Sequence, residues 1–206
     1  MIPRRAALLL PVLPVLAHAQ SRDPAAPIAR LDAALLAAMH AGTATPFATP
    51  FATRYASLAP AVEAAFDLPA ILAASVGLGW SSIPRAQQQT LLTAFIRFTV
   101  ATYAANFNSF GGERIDLLPN RRQVGAETVV ATQIVPANSR PTRIDYVMRQ
   151  TASGWRAVDV LLDGSISRVA VQRSDFRSIL ASGGAPALAT TLDRKTAALS
   201  GGAALP

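Results

Sequence analysis

Apolar residues recur every three or four positions through the first half of the chain, beginning at Ile28. The first run ends before Gly42 and consists of Ile28, Leu31, Leu35, Leu36 and Met39. This period is that of one face of an α-helix, and glycine is a frequent helix stop. The pattern predicts a helix that ends near Gly42, a loop over residues 43–50 and a second short helix over residues 51–62.

Two more helices follow, and the second of them carries a surplus of apolar residues. Asp67 and Pro69 mark the start of the first, because an aspartate can cap free backbone N–H groups and proline fits the first turn. A glycine-rich stop stands at residues 77–79. The next helix is the longest, predicted over residues 85–107. Its apolar stripe is wider than the burial of one face requires, and its members are Leu91, Leu92, Phe95, Phe98, Thr99, Thr102, Tyr103 and Phe107.

After residue 112 the period of the pattern changes to two, which is typical of half-buried β-strands. Ile144, Tyr146 and Met148, for example, share one face of a strand. Tight hairpin turns are predicted where a glycine can accept a positive φ, at Ser153-Gly154 and Asp163-Gly164. An antiparallel meander is therefore expected, with strands over residues 115–118, 124–135, 142–150, 155–162 and 166–171.

Helical spacing returns near the C-terminus. Two short helices are predicted over residues 176–181 and 186–199, with Ser174 or Asp175 as the cap and two glycines between the helices. The tail over residues 201–206 is expected to fray. Because helices and antiparallel strands are segregated along the chain, residues 28–200 are predicted to form a single α+β domain.

The N-terminal segment has the organisation of a secretory signal peptide. Two arginines precede an apolar run over residues 6–16, and Ala17-His18-Ala19 fits the small-x-small cleavage rule. The run is too short for a membrane span, which needs about 20 apolar residues. Residues 1–19 are therefore predicted to be removed on export to the periplasm, and residues 20–27 to form a flexible lead-in to the domain.

Composition and charge exclude several classes of protein. A hydrophobic fraction of 51% is too high for a disordered chain. The absence of cysteine excludes disulfides, thiolate metal sites and cysteine nucleophiles. The formal net charge is +7, but the arginines are scattered and Lys195 is the only lysine. No basic block alternates with aromatic residues, so nucleic acid is not an expected partner. Anionic lipid headgroups or an acidic protein fit this surface better.

Few residues could support catalysis once the signal peptide is removed. His40 is then the only histidine, too few for a zinc site, and a serine–histidine triad would have to use it although no Gly-x-Ser-x-Gly motif is present. The remaining candidates are Asp145 and Asp159 as bases, with the Tyr146 hydroxyl as a donor. Aspartates paired with arginines and a core tyrosine are the favoured interpretation. The chain is therefore not expected to be an enzyme or to carry a cofactor or a metal.

The apolar surplus of the longest helix has two explanations. A helical layer opposite the apolar face of a sheet can pack into a plain core, or it can enclose a cavity for an apolar ligand. The hydrophobic pattern alone favours the plain core without excluding the cavity.

Several short motifs stand in a particular order and spacing. They are Phe66-Asp67, Gly77-x-Gly79-Trp80, Gln88, Phe95, Tyr103-Ala104, Ile144-Asp145-Tyr146, Gly154-Trp155, Val158-Asp159-Val160, residues 164–168 from Gly164 to Arg168, and Arg173-Ser-Asp-Phe176. As an ordered set over about residues 28–199, they resemble the MlaC family of periplasmic lipid-binding proteins. These are also called toluene-tolerance auxiliary proteins of an ABC transport system, and the hopanoid-associated HpnM branch belongs to the same group.

This resemblance implies a helical layer on a curved antiparallel sheet, an NTF2-like or cystatin-like cone, with an apolar cavity between the layers. It implies a monomeric carrier of phospholipid or hopanoid. The carrier would move between an outer-membrane lipoprotein complex and an inner-membrane ABC transporter complex with a membrane-anchored receiving subunit. On matching positions, the lipid-binding residues would be Trp80, Phe95, Phe98, Val100, Tyr103, Val129, Ile144, Tyr146, Met148, Val160 and Ile166.

Two other hypotheses stay open beside the carrier. An enzyme on the same cone would use Asp159 or Asp145 as base and Tyr146 as donor, and it would be favoured if these groups faced a pocket without a partner. A ligand-free adaptor that binds membrane complexes would have a tightly packed interior.

Overall fold

In the part of the chain that the structure describes, four α-helices precede the sheet and one long helix follows it. A computed structural model describes residues 23–44 and 49–205. The predicted signal peptide, and residues 45–48 of the predicted loop after the first helix, lie outside these residues. The helices are α1 (Ala26–Thr43), α2 (Phe51–Ala65), α3 (Leu68–Val76), α4 (Arg85–Asn106) and α5 (Arg168–Leu199), with a short 3₁₀ turn over Gly77–Ser82.

The predicted start of α3 is confirmed in detail. The Asp67 carboxylate accepts a hydrogen bond of 3.1 Å from the backbone N–H of Ala70. The Asp67 N–H itself donates to the carbonyl of Ala157 at 2.9 Å. This bond ties the start of α3 to the sheet, so Phe66 is held between the helical layer and the strands.

The sheet is a curved five-stranded antiparallel meander in the order β1-β2-β3-β4-β5. Its strands are β1 (Arg114–Val124), β2 (Glu127–Val135), β3 (Thr142–Thr151), β4 (Gly154–Leu162) and β5 (Ile166–Ser167). The hairpins predicted at Ser153-Gly154 and Asp163-Gly164 are confirmed, and Gly154 and Gly164 both adopt positive φ. In the register, Tyr146 lies opposite Val130 on one side and Val160 on the other.

The last predicted strand, over residues 166–171, is wrong. Only Ile166 and Ser167 pair with β4, and α5 begins at Arg168. The Ser167 hydroxyl accepts a bond of 3.0 Å from the N–H of Ala170, so this serine is the cap, in place of the predicted Ser174 or Asp175. The predicted break between the last helices is present, because the backbone of Gly184 is non-helical, with φ of 65°.

The first two predicted strands also need correction. Residues 114–124 form one strand, and the turn falls at residues 125 and 126, so Val124 belongs to β1 and not to β2. The register of β1 is interrupted between Leu117 and Arg121, around Pro119. Proline is tolerated in an edge strand at such an irregularity. Because β1 is an exposed edge, its sequence lacks the apolar alternation that would have revealed it.

The helices pack mainly on one another, with contacts between α1 and α2, α2 and α4, α4 and α5, and α3 and α5. The core lies between this layer and the face of the sheet that carries Val130, Tyr146 and Met148. Within the two described ranges, no helix has the length and apolar character that a membrane crossing would require.

Gly42→Ala is expected to destabilise the fold. A Cβ atom at this position would lie 1.9 Å from the carbonyl oxygen of Asn108, in the segment that follows α4. Changing an exposed helical glycine to alanine normally raises the free energy of unfolding by up to about 1 kcal/mol. Here we expect that free energy to fall by about 1–3 kcal/mol, because the added methyl group overpacks the site. Urea unfolding of the variant and the parent protein measures this change in the free energy of unfolding. Gly79→Ala is the matched control, because nothing lies within 4 Å of its Cβ; equal effects would contradict the clash.

Candidate functional site: an apolar cavity between helices and sheet

A cavity of about 340 Å³ lies between the helical layer and the sheet. This volume is at the lower end of the range of about 300–1,000 Å³ found for small-molecule sites. The cavity is walled by α4, by the start of α3, by the first turns of α5 and by one face of β3 and β4. Its lining residues are Phe66, Leu68, Ile71, Phe95, Phe98, Thr99, Thr102, Tyr103, Asn106, Phe107, Ile144, Tyr146, Asp159, Val160, Leu162, Arg168, Val169 and Gln172.

Helix α4 supplies one wall through the wide stripe that the sequence shows. Residues Phe95, Phe98, Tyr103 and Phe107 of the stripe line the cavity, and so do two threonines. The hydroxyls of both threonines donate to carbonyls of the preceding turn of α4, each at 2.8 Å. Because these donors are already satisfied, the threonines add little polarity to the wall.

The sheet supplies the opposite wall. Ile144 and Tyr146 on β3 point to the same side as Val160 and Leu162 on β4, because the register places Ile144 opposite Leu162 and Tyr146 opposite Val160. Phe66 bridges the two walls: its ring centroid lies 5.7 Å from that of Tyr103 and 6.1 Å from that of Tyr146. The interior is therefore dominated by aromatic and aliphatic surface.

The polar members of the lining include two exposed side chains, Asn106 and Arg168, together with Gln172 and Asp159. Burial raises the pKa of the Tyr103 phenol, and the positive charge of Arg168 opposes that shift. Arg168 is thus an exposed cation close to a cavity whose walls are apolar. Such a site combines an apolar interior with an exposed arginine among its lining residues.

The structure places six of the eleven predicted lipid-binding residues around this cavity: Phe95, Phe98, Tyr103, Ile144, Tyr146 and Val160. The other five lie elsewhere. Val100 and Met148 are fully buried in the core, and Val129 pairs with Val147 on the opposite face of the sheet. Trp80 lies in the 3₁₀ turn, and Ile166 is half exposed at the sheet end. The missed lining residues include Phe66, in the link between α2 and α3, and Ile71 on α3. The helical pattern around them gave no sign that they face a cavity.

The carboxylates proposed as catalytic bases both have structural partners. Asp145 accepts two hydrogen bonds from the Arg143 guanidinium, at 2.8 and 3.0 Å. Asp159 has no arginine partner among the described residues, contrary to the favoured interpretation. Its carboxylate instead accepts from the Ser167 hydroxyl and from the N–H of Val169 at 3.1 Å. Asp159 therefore fastens the start of α5 to β4, because a carboxylate is favourable at a helix N-terminus.

Tyr146 is poorly suited to proton transfer. It is almost fully buried, and this burial raises the pKa of its phenol well above the usual range, with smaller contributions from Tyr103 and Asp32. A phenol of this kind stays neutral at ordinary pH, far from the pKa that a general acid or base needs. Together with the partnered aspartates, it weighs against the enzyme hypothesis.

Sequence reasoning did not single out Asp32, although the residue is buried. It stands on α1 among Ile28, Leu31 and Leu35, in the stripe that faces the core, and its side chain is nearly inaccessible. Neither carboxylate oxygen has a hydrogen-bond partner among the described residues. Burial raises the pKa of Asp32 to about 7. The sequence signal was the i, i+3, i+4, i+7 position of Asp32 within an otherwise apolar face.

Fold and site together define an α+β ligand-binding type of protein, with an apolar cavity between a helical layer and a curved antiparallel sheet. The chain belongs to the MlaC family, because the model of that family, described as "MlaC protein", matches residues 30–194. This confirms the resemblance drawn from the ordered motifs.

A solved structure shows the same fold. It is that of a phospholipid-binding protein from Ralstonia solanacearum in complex with a phospholipid. The TM-score is 0.68, the sequences are 19% identical, and the match covers 84% of this chain and 94% of that chain. At this identity the likeness establishes the fold. No curated protein matches the chain in sequence.

Proposed function

We propose that the protein is a non-enzymatic lipid carrier that holds the acyl chains of a phospholipid in the cavity. The observation that carries the proposal is the lining itself: aromatic and aliphatic walls on α4, β3 and β4, with threonine hydroxyls satisfied inside their own helix. Membership of the MlaC family and a fold neighbour that binds phospholipid support it.

Hydrophobic burial alone can supply the affinity. Each methylene removed from water contributes about 0.8 kcal/mol, so about ten buried methylenes contribute about 8 kcal/mol before the entropy of binding is subtracted. No directional contact inside the cavity is needed. The headgroup would stay at the rim, where Arg168 can pair with a phosphate through charge-assisted hydrogen bonds. Loose headgroup selectivity follows from this arrangement.

The proposed route is the periplasm, after cleavage of residues 1–19. The carrier would exchange lipid between an outer-membrane lipoprotein complex and the membrane-anchored receiving subunit of an inner-membrane ABC transporter complex, acting as a monomer. Support for this route comes from the family membership and from the signal-peptide pattern of the N-terminal segment. Within the same class, a hopanoid is the alternative cargo.

The direct test is mass spectrometry of an organic extract from the purified mature protein. We expect phospholipid in stoichiometric amount, with several headgroups represented. A hopanoid in its place would change the cargo but keep the carrier. An extract without lipid, also after incubation with phospholipid vesicles, would refute lipid carriage.

Ile144→Gln is expected to reduce lipid occupancy about tenfold. The side chain lines the cavity, and an amide without a partner among acyl chains costs about 1–3 kcal/mol. Val147→Gln is the matched control, because Val147 is a half-buried apolar residue of the same strand that points to the opposite face. The readout is the lipid-to-protein ratio after extraction. Equal loss in both variants would show that the cavity does not hold the lipid.

A further inference from the structure

A second concave surface lies outside the cavity and is not used by the proposed function. It is a groove of about 890 Å³ between the C-terminal end of α3, the 3₁₀ turn Gly77–Ser82 and the middle of α5. Small apolar side chains, such as Ala73 and Ala181, form much of its lining. We name it the Leu78 groove, after its most exposed member.

Leu78 is the most exposed large apolar side chain of this surface. It is fully exposed (103%), whereas the next most exposed large apolar residue in the described part of the chain, Ile166, reaches 51%. Two glycines flank it, and Gly79 has open space around it. The first, Gly77, has a φ of +81° that ends α3 and turns the chain outward. Leu78 therefore projects from a tight turn, and no described residue covers it.

Two arginines of α5 line the groove together with Leu78. Arg173 donates two hydrogen bonds to the carbonyl of Ala74, at 3.0 and 2.6 Å, which fixes its guanidinium at the end of α3. Arg177 follows one turn later, and both side chains are exposed and line the groove. Neither forms an ion pair among the described residues, and the groove lining contains no carboxylate. The surface is thus apolar and cationic, without compensating negative charge.

We infer that the Leu78 groove is a docking surface for an anionic lipid bilayer. An isolated, projecting apolar side chain next to cations is the composition of an interfacial membrane anchor. Arginine guanidinium groups donate charge-assisted hydrogen bonds to lipid phosphate. One leucine and two arginines give weak attachment that reverses readily, as a carrier that must leave the membrane requires. The inference rests on the proposed function, because lipid exchange gives the contact its purpose.

The groove is also adjacent to the cavity. Gln172 lines the cavity and its neighbour Arg173 lines the groove. Helices α3 and α5, which lie between the groove and the cavity, are linked by a hydrogen bond of 3.0 Å from the Ser75 hydroxyl to the Gln172 side chain. A bilayer at the Leu78 groove would therefore lie next to one wall of the lipid cavity.

The test is sedimentation of the mature protein with vesicles of phosphatidylcholine, with and without phosphatidylglycerol. Binding is expected only with phosphatidylglycerol and is expected to weaken in high salt, which screens exposed charges. Leu78→Ser should weaken binding about tenfold, and Arg177→Gln about fivefold. The matched controls are Leu117→Ser and Arg140→Gln, an exposed leucine and an exposed arginine elsewhere, which should bind as the parent does.

Equal binding by Leu78→Ser and the parent would overturn the inference, and so would equal losses in the two control variants, since these indicate general attraction of a basic protein. Absence of vesicle binding would overturn it too and would leave the groove to an acidic protein partner. Lipid extraction from Leu78→Ser separates the two proposals. If this variant still carries lipid but the parent does not bind vesicles, the docking surface fails while lipid carriage stands.

Discussion

Asp32→Asn is expected to be more stable than the parent protein by about 4 kcal/mol above about pH 8. The Asp32 carboxyl is buried on α1, and neither of its oxygens has a hydrogen-bond partner among the described residues. A buried charge without a partner is costly, so the folded state keeps this proton up to a higher pH than the unfolded chain does. Its pKa is accordingly raised to about 7, by burial.

The sign of the pH dependence follows from this raised pKa. The folded state binds the proton more tightly than the unfolded state, whose aspartate titrates near 3.8. The stability linked to Asp32 is therefore fully present below about pH 4, and it is lost as the pH rises towards 7. A shift of about three units at about 1.4 kcal/mol per unit gives the expected 4 kcal/mol. Asparagine cannot ionise, so its variant lacks this component.

Urea unfolding of both proteins between about pH 4 and pH 8 measures the effect, since the midpoint at constant slope reports stability. Asp193→Asn is the matched control: Asp193 is 54% exposed and pairs with Arg97 only at 3.9 Å. Its pH profile should follow that of the parent. Parallel profiles for Asp32→Asn and the parent would refute the assignment of an uncharged, buried Asp32.

Arg143→Ala is expected to destabilise the protein by about 3 kcal/mol at neutral pH. The pair is asymmetric, because the side chain of Asp145 is 1% exposed and that of Arg143 is 55% exposed. Removing the arginine leaves a buried carboxylate without its two guanidinium bonds. Removing the carboxylate leaves an arginine that water can still solvate. Asp145→Asn should therefore cost less than Arg143→Ala.

The double variant provides the decisive comparison. In Arg143→Ala/Asp145→Asn no buried charge remains, so most of the loss seen in Arg143→Ala should be recovered. Arg149→Ala is the matched control, because its partner Glu127 is 25% exposed and can be hydrated. Additive losses in the double variant, or an equal loss in the control, would contradict this account of the pair. Thermal or urea unfolding at one pH is sufficient.

Much of the fold could be predicted because its signals are local. The hairpins at Ser153-Gly154 and Asp163-Gly164 depend on glycines that accept positive φ, and the start of α3 depends on Asp67 three residues before an N–H that it caps. The wide stripe of α4 also identified a helix with more apolar surface than a simple core contact uses. Cavity-lining residues such as Phe98 and Tyr103 belong to that stripe, and the family resemblance named them.

Other features depend on contacts that are distant in sequence. The start of α5 was misplaced because Val169 and Val171 suit a strand as well as a helix, and the decision comes from Asp159 on β4, which holds Ser167 and the N–H of Val169. The extent of β1 was missed because an edge strand needs no apolar face. Val129 was assigned to the cavity although the pairing register turns it to the other side of the sheet.

The sequence by itself determined the helical and strand halves, the meander, the lack of cysteine chemistry and, through the order of its motifs, the family. It could not decide whether the apolar surplus encloses space, because hydrophobic period reports which face is buried and not what it is buried against. The tertiary structure decided that by setting the α4 stripe opposite Ile144 and Tyr146 at a separation that leaves a cavity. It also decided which polar groups are satisfied: Asp145 is paired with Arg143 of its own strand, Asp159 is bonded by the start of α5, and Asp32, on an otherwise apolar helix face, finds no partner among the described residues.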